Sequence, residues 1–453
     1  MGHSEKDIPL TELLAYLIET PTSPTHVGVI QIFQPPSGSA RTAAQAVVKA
    51  FRQAEVDEPF NQKAVFRPLQ RPKWVVCDDL DRNFHFQHIS LQKPGTTRQL
   101  LDEVSFLHEG LMKRDRPGWG AFIFDGLEGN RFAVYWKIHH AYIDGTAMVM
   151  RMNAAMLAKP GQKKIVPITA PMPGLRKSIA AKKAAEATET KSFNWSGLKE
   201  AGAMLGSTVQ QALGKRISHA PLPFSAANSF LNNQQHASRS LGAGTLDLDQ
   251  LKAISRNHRV TINDVLMAVV GDALERYAKM RQEPLDKPLV AACPMSVRRE
   301  TDELEGNRFA ALLVKLGEPG SSIIERLKQV HQSSHDAKQE ARSVSREGLM
   351  SYQMAVLGAS SLLAKSPLAA TIRPLSNINI SNVPGPKGSY YLGRSKMVQG
   401  IPVSALAGCA INITCGSIDG RMDFAIISDA EVVPDAQQIA DLIAGSFDIL
   451  VAA

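Results

Sequence analysis

The chain has 453 residues, 44% of them hydrophobic and 21% charged, with 51 lysines and arginines against 43 aspartates and glutamates. That length supplies two domains with full cores, and the composition is that of a globular protein. The formal net charge of +8 suits anionic partners such as phosphates, coenzyme A or lipid headgroups; it forms no stripe and comes with no zinc-finger or RNA-binding signature, which argues against nucleic acid.

The opening Met1-Gly2-His3-Ser4-Glu5-Lys6-Asp7 is too polar for a secretory signal, and no run of about 18 apolar residues predicts a membrane span. Cys77, Cys293, Cys409 and Cys415 lack paired metal spacing and disulfide-framework density, so reduced thiols in a cytoplasm are expected. Residues 10–18 predict a short helix with Leu10, Leu13, Leu14 and Leu17 on one side. A strand follows over 24–33, then a helix over 42–51, strands over 73–77 and 84–91, and a helix after Pro94-Gly95 to about Met112. His26, His85, His88 and His108 read as packing or surface residues. Strands over 119–124 and 131–139 turn around Leu127-Glu128-Gly129-Asn130.

That hairpin delivers His139-His140-Ala141-Tyr142-Ile143-Asp144-Gly145, after which a helix opens at Thr146. Side chains alternate along a strand, so Phe132, Val134, Trp136, Ile138 and His140 are expected on one face, with Ala133, Tyr135, Lys137 and His139 on the other. On that reading His140 extends a half-buried apolar row, where an imidazole stays neutral and aimed, and His139 is structural. Two histidines and an aspartate also suit a metal triad, but adjacent strand histidines diverge. The remaining readings are a satisfied core histidine, or His140 as a general base with Asp144 bracing the turn and Gly145 giving a substrate clearance.

From 158 to 240 the composition shifts. Residues 159–165 and 167–174 read as linker, and Arg176, Lys177, Lys182 and Lys183 open a basic, alanine-rich helical stretch. Residues 197–213 read as a helix and 221–229 as a loop. A strand over 244–248 then runs into a helix, with Asp247 or Asp249 as cap. Val260-Thr261-Ile262-Asn263-Asp264-Val265-Leu266 opens a helix to about Lys279, where Asn-Asp has an ordinary use as capping. After Pro294-Met295-Ser296-Val297-Arg298 come a strand over 309–314, a long helix over 321–342 and an apolar helix over 349–363. That last helix suits a core, a lipid tunnel or a membrane interface. Asn377-Ile-Asn-Ile-Ser381-Asn382-Val383-Pro384-Gly385-Pro386 is a strand entering a turn. A hairpin around Asp419-Gly420 and a helix over 435–451 close the chain.

His139-His140-x-x-x-Asp144-Gly145 resembles the His-His-x-x-x-Asp-Gly signature of coenzyme A-dependent acyltransferases, the superfamily of chloramphenicol acetyltransferases and peptide-synthetase condensation domains. Its order with Pro24-Thr25-His26-Val27-Gly28, Arg114-Asp-Arg-Pro117-Gly118-Trp119, Thr261-Ile-Asn263-Asp264-Val265, the 294–298 segment and Ser381-Asn382-Val383-Pro384-Gly385-Pro386 resembles the bacterial wax ester synthase/diacylglycerol acyltransferase family. Thr25 stands for its methionine, Met295 for its valine and Gly118 for its leucine. The last change removes an apolar wall and reshapes a lipid-facing surface.

The resemblance implies an α/β fold of two chloramphenicol-acetyltransferase-like domains, each a mixed sheet flanked by helices, with an active-site tunnel at their junction. Residues 1–157 form the first, 158–240 a crossover and 241–453 the second, whose Asp419-Gly420 follows no histidine and so makes no second site. It implies transfer of a long-chain acyl group from acyl-CoA to a fatty alcohol or diacylglycerol, with acyl-CoA as co-substrate and neither metal nor resident cofactor. His140, His139, Asp144, Gly145 and Asn263 are then the catalytic residues, Asn263 holding the oxyanion. Asp264, Trp119, Asn382, Pro384 and Gly385 are substrate-binding, Asp264 also fixing its helix start. Apart from the resemblance, Arg298 is expected to pair with Asp144 across the halves. The expected location is the cytoplasm, peripheral at the inner membrane or a lipid droplet. The alternatives are a condensation-type enzyme using another acceptor or a carrier-protein thioester, and a non-catalytic lipid-binding homologue.

Overall fold

In the computed structural model, residues 5–160, 165–172, 174–175, 195–232, 235–296, 309–364, 373–385 and 388–453 are described. The first half runs β1 (Glu5–Asp7), α1 (Leu10–Ile18), β2 (His26–Gln34), α2 (Ala40–Gln53), β3 (Gln62–Val65), β4 (Lys73–Val76), α3 (Arg82–His85), β5 (Phe86–Ser90), α4 (Thr97–His108), β6 (Trp119–Leu127), β7 (Arg131–His139) and α5 (Gly145–Ala155). The strand expected over 84–91 is shortened by α3, which Asp81 caps by accepting from the backbone of Asn83 and Phe84. Thr96 and Gln99 close a reciprocal capping box at the start of α4, which satisfies backbone donors the helix itself cannot pair.

Alternation along β7 is as expected. Phe132, Val134, Trp136 and Ile138 enter one core with α2 residues Val47 and Phe51. Ala133 and Tyr135 enter another. Each of the larger of these buried side chains stabilises by about 1.5–3 kcal/mol. The second core contains Leu241, Ala425 and Ile427 of the other half, so the two lobes share it.

The second half runs α6 (Trp195–Ala212), β8 (Arg239–Asp247), α7 (Leu248–His258), α8 (Ile262–Met280), β9 (Val290–Ser296), β10 (Phe309–Lys315), α9 (Ile323–Arg342), α10 (Arg346–Ala364), β11 (Ile378–Val383), β12 (Tyr391–Leu392), β13 (Ser395–Val403), β14 (Ile411–Ile418), β15 (Arg421–Asp429) and α11 (Ala436–Ala452). Asp247 caps α7. The β14–β15 turn holds Asp419 and Gly420 at φ of 45° and 79°, the left-handed pair a two-residue hairpin requires. A third core, built on α8, β9, β11, β14 and α11, fills this lobe.

Two six-stranded mixed sheets result, ordered β12-β13-β2-β7-β6-β5 and β10-β9-β11-β14-β15-β8, with a small sheet β1-β4-β3 beside the first. The division expected at 241 is therefore crossed. Strands β12 and β13 belong to the second half of the chain but extend the first sheet, Ile401 lying opposite Ile30 of β2. The crossover is attached to the first lobe as well, since Arg151 donates to the carbonyl of Ile168 at 2.8 Å.

Candidate active site

Strand β7 ends at His139, and the backbone N–H of His139 donates to Gly118 at 2.8 Å. His140 is the first residue of the turn and not a continuation of the apolar row, which corrects the strand-face expectation; its N–H donates to Thr25 at 3.0 Å. In the turn His140 is an exposed residue, although the surrounding protein still crowds its ring. That crowding desolvates the charged form and lowers its pKa, with His139 adding to the effect and Asp144 opposing it. A solvent-reachable imidazole that is neutral at pH 7 is what a general base requires.

His139 is buried and used. Its Nδ1 accepts from Ala141 N–H at 3.2 Å, which leaves the proton on Nε2, 3.2 Å from Oε2 of Glu19. The ring stacks on Tyr16 at 4.0 Å. Burial pushes the Glu19 carboxyl up, but the bonds from His139 and Arg114 outweigh it and hold its pKa below the usual range. Both ring nitrogens of His139 thus have partners within the protein. Tyr16 and Glu19 are the residues that sequence reasoning missed, and Arg114, quoted there within its motif, was given no partner. Glu19 lies 120 positions from His139, and an acidic residue ending a short helix gives no local signal of such a partner.

Asp144 braces the turn as expected. Its side chain accepts from Ala147 N–H at 2.7 Å and caps α5, a contact worth about 0.5–2 kcal/mol. Gly145 meets the other lobe, since a Cβ there would lie 3.5 Å from Cγ2 of Val383. One residue earlier on β11, Nδ2 of Asn382 donates to Oδ1 of Asn263 at 2.8 Å. Asn263 sits in the first turn of α8 but does not cap it. Thr261 does, in a capping box with Asp264. The end of β11 therefore touches two helix N-termini, that of α5 beside the His139-His140 turn and that of α8 at Asn263. Both present the positive ends of their dipoles.

Several expected substrate contacts fall elsewhere. Asp264 is fully buried, accepting from His331 at 2.9 Å and Ser334 at 2.5 Å of α9; it ties the helix start to α9 and is not open to substrate. Trp119 is a core residue, its indole N–H donating to Phe60 at 2.7 Å and its ring stacked on His85. Gly385 docks the turn onto β14, donating to Oγ of Ser417 at 3.2 Å, where a Cβ would lie 2.0 Å from the Ser417 carbonyl. Pro384 is exposed beside it. Gly118 is buried, and a Cβ there would lie 3.0 Å from Tyr142 and 3.2 Å from His139. The aromatic ring closes the wall that a missing leucine was expected to open. Arg298, the expected partner of Asp144, lies outside the described residues. Two clefts, of about 310 Å³ along α2 and about 420 Å³ around Asn228 and Lys287, are lined by none of these motif residues. Chemistry, not cavity size, picks out the site.

Two lobed mixed sheets meeting at a His-His-x-x-x-Asp-Gly turn define the acyltransferase and condensation-domain class. Over 99% of this chain and 96% of its own, the first condensation domain of the CDA synthetase shares the fold at a TM-score of 0.56 and 13% identity. Much nearer is a solved wax ester synthase/diacylglycerol acyltransferase from Marinobacter aquaeolei, with TM-score 0.79 and 28% identity over 98% of each chain. An O-acyltransferase, WSD, of Acinetobacter baylyi is 31% identical over 93% of this chain and 92% of its own. A Mycobacterium tuberculosis protein carrying the name "Probable diacyglycerol O-acyltransferase Tgs4" is 30% identical over 96% of this chain and 94% of its own. The model of the wax ester synthase/diacylglycerol acyltransferase catalytic domain matches residues 10–266, and that of the WS/DGAT C-terminal domain matches 305–451. The chain belongs to the wax ester synthase/diacylglycerol acyltransferase family, and it is an O-acyltransferase. Asn263 falls within the catalytic-domain match.

Proposed function

We propose that the protein transfers a long-chain acyl group from acyl-CoA to the hydroxyl of a fatty alcohol or of diacylglycerol, with His140 as general base. The observation that carries this reading is the meeting, at the end of β11, of the His140 turn and the Asn263 helix start. An alcohol proton is lost far above pH 7, so its removal must accompany attack; a placed imidazole contributes about 10²- to 10⁴-fold. His140 takes the hydroxyl proton as the oxygen bonds to the thioester carbon. Asn263 donates its amide to the oxyanion, worth about 3–4 kcal/mol in comparable sites. The C–S bond then breaks, and His140 returns the proton to the departing thiolate. No metal or resident cofactor takes part in this scheme.

Incubation with palmitoyl-CoA and either hexadecanol or dioleoylglycerol, following free thiol release, tests the reading. Release that depends on the acceptor supports it. Release only with an amine acceptor or a carrier-bound thioester points to condensation chemistry, and no release with any acceptor rejects it.

The products of such a reaction are insoluble in water, and one surface suits a lipid boundary. Helices α6 and α10 pack on each other, and residues 201–214 and 348–364 carry no charged side chain. They expose Leu205, Val209, Leu213, Met350, Met354 and Leu357, and Lys199 and Lys215 are exposed at either end of α6. An apolar face with basic ends matches an anionic lipid surface. No helix among the described residues is long and apolar enough to cross a membrane, so contact by this face is peripheral. Flotation with phosphatidylglycerol-containing vesicles checks it, and a protein left at the bottom of the gradient would rule it out. Four free cysteines suit a reducing compartment.

A further inference from the structure

We infer that Asn382 is a positioning residue that sets which end of the Asn263 amide faces the reacting carbonyl. The inference rests on the reading of Asn263 as the oxyanion donor. A side-chain amide has one accepting and one donating end on a turning bond, so a donor held on its oxygen keeps the NH2 end aimed at an oxyanion before the charge develops. Asn382 does this, its Nδ2 donating to Oδ1 of Asn263 at 2.8 Å. Nδ2 of Asn263 has no partner among the described residues, and Asn263 is only half-buried.

Asn382 is itself well placed for the task. It lies on β11, where the parallel ladder with β14 sets it opposite Cys415. The next residue, Val383, rests against Gly145 at the head of the α5 turn. One strand end thus registers the donor of the second lobe against the histidine turn of the first. Oδ1 of Asn382 is buried and has no partner among the described residues. Its bond to Asn263 is then the only one that the Asn382 amide makes among the described residues.

The full-length protein with Asn382→Ala, Asn382→Asp, Asn263→Ala and the Ala/Ala double substitution tests this with palmitoyl-CoA and hexadecanol. Asn382→Ala should lower kcat about tenfold, the equivalent of one neutral hydrogen bond, with KM for palmitoyl-CoA unchanged. Asn382→Asp, nearly isosteric, should be slower still. A carboxylate only accepts, so it draws in Nδ2 of Asn263 and turns the oxygen toward the developing negative charge. Asn263→Ala should lower kcat about 10²- to 10³-fold, and adding Asn382→Ala should cost nothing further, because the residue it orients is gone. Urea unfolding confirms that each variant is folded, and the aspartate variant keeps the test open should alanine loosen the strand. An aspartate variant as fast as the alanine one, or a double variant slower than Asn263→Ala by the full single-variant factor, overturns the positioning role while leaving the oxyanion reading standing. A fully active Asn263→Ala variant overturns both.

Discussion

Arg114 and His139 are joined through one carboxylate. Glu19 accepts from Arg114 at 2.8 Å on Oε1 and from His139 at 3.2 Å on Oε2. Arg114 also lies over the rings of Tyr16 and Phe66. The arginine of the 114–119 element therefore acts on the turn from behind, through the neighbour of His140.

His139→Ala should then be chiefly a stability variant. It removes the stack on Tyr16 and one partner of a nearly buried carboxylate, a loss of about 2–4 kcal/mol. Urea unfolding measures it, and an unchanged midpoint would refute the structural assignment.

His140→Ala should do the opposite. His140 is an exposed residue, and the helix after it is capped by Asp144, so the unfolding midpoint should stay within about 0.5 kcal/mol, while kcat falls about 10²- to 10⁴-fold. Near-normal thiol release would remove His140 from the base role.

Two pH effects follow from burial. Desolvation lowers the pKa of His140, so kcat/KM should stay level through neutral pH and fall only below the ordinary imidazole value of about 6.5. A profile still rising between pH 7 and 8 would contradict this. Stability should weaken over the same range. Burial holds His26 and His108 well below their usual value and His85 at about 4. These groups bind protons more readily unfolded, so stability is complete above about pH 6.5 and declines as pH falls toward the folded values. Thermal melts at pH 7, 6 and 5 should show a progressive drop.

Gly385→Ala and Gly145→Ala should separate. A Cβ at 385 would lie 2.0 Å from a backbone oxygen, whereas one at 145 would lie 3.5 Å from the Val383 methyl. The first must displace the end of β11, at a cost of about 1–3 kcal/mol. The second makes an ordinary contact and should leave stability within about 0.5 kcal/mol. Equal midpoints for the two would count against the described seating of that strand end.

Much of this was legible in the sequence because it is written in short-range patterns. The alternation from Phe132 to Ile138 assigned both faces of β7, Asp419-Gly420 marked its hairpin, and Asp144 stood at a helix start. What escaped depended on distant partners. Nothing in residues 395–403 says which sheet they will extend. Asp264 looks like an available carboxylate until His331 and Ser334 close over it, and Trp119 looks like a site aromatic until its N–H is found on Phe60. His140 looks like the next member of the apolar row, but the strand stops at His139 and the turn begins one residue earlier than the alternation alone would say.

The seating of β13 on β2 has a mechanical outcome. Prising the halves apart would strip a whole ladder of main-chain bonds from β2 and bare a raw margin prone to aggregation. Heating should therefore melt the protein in one step, and cutting it between halves should give two sticky fragments, neither of which keeps the geometry around His140.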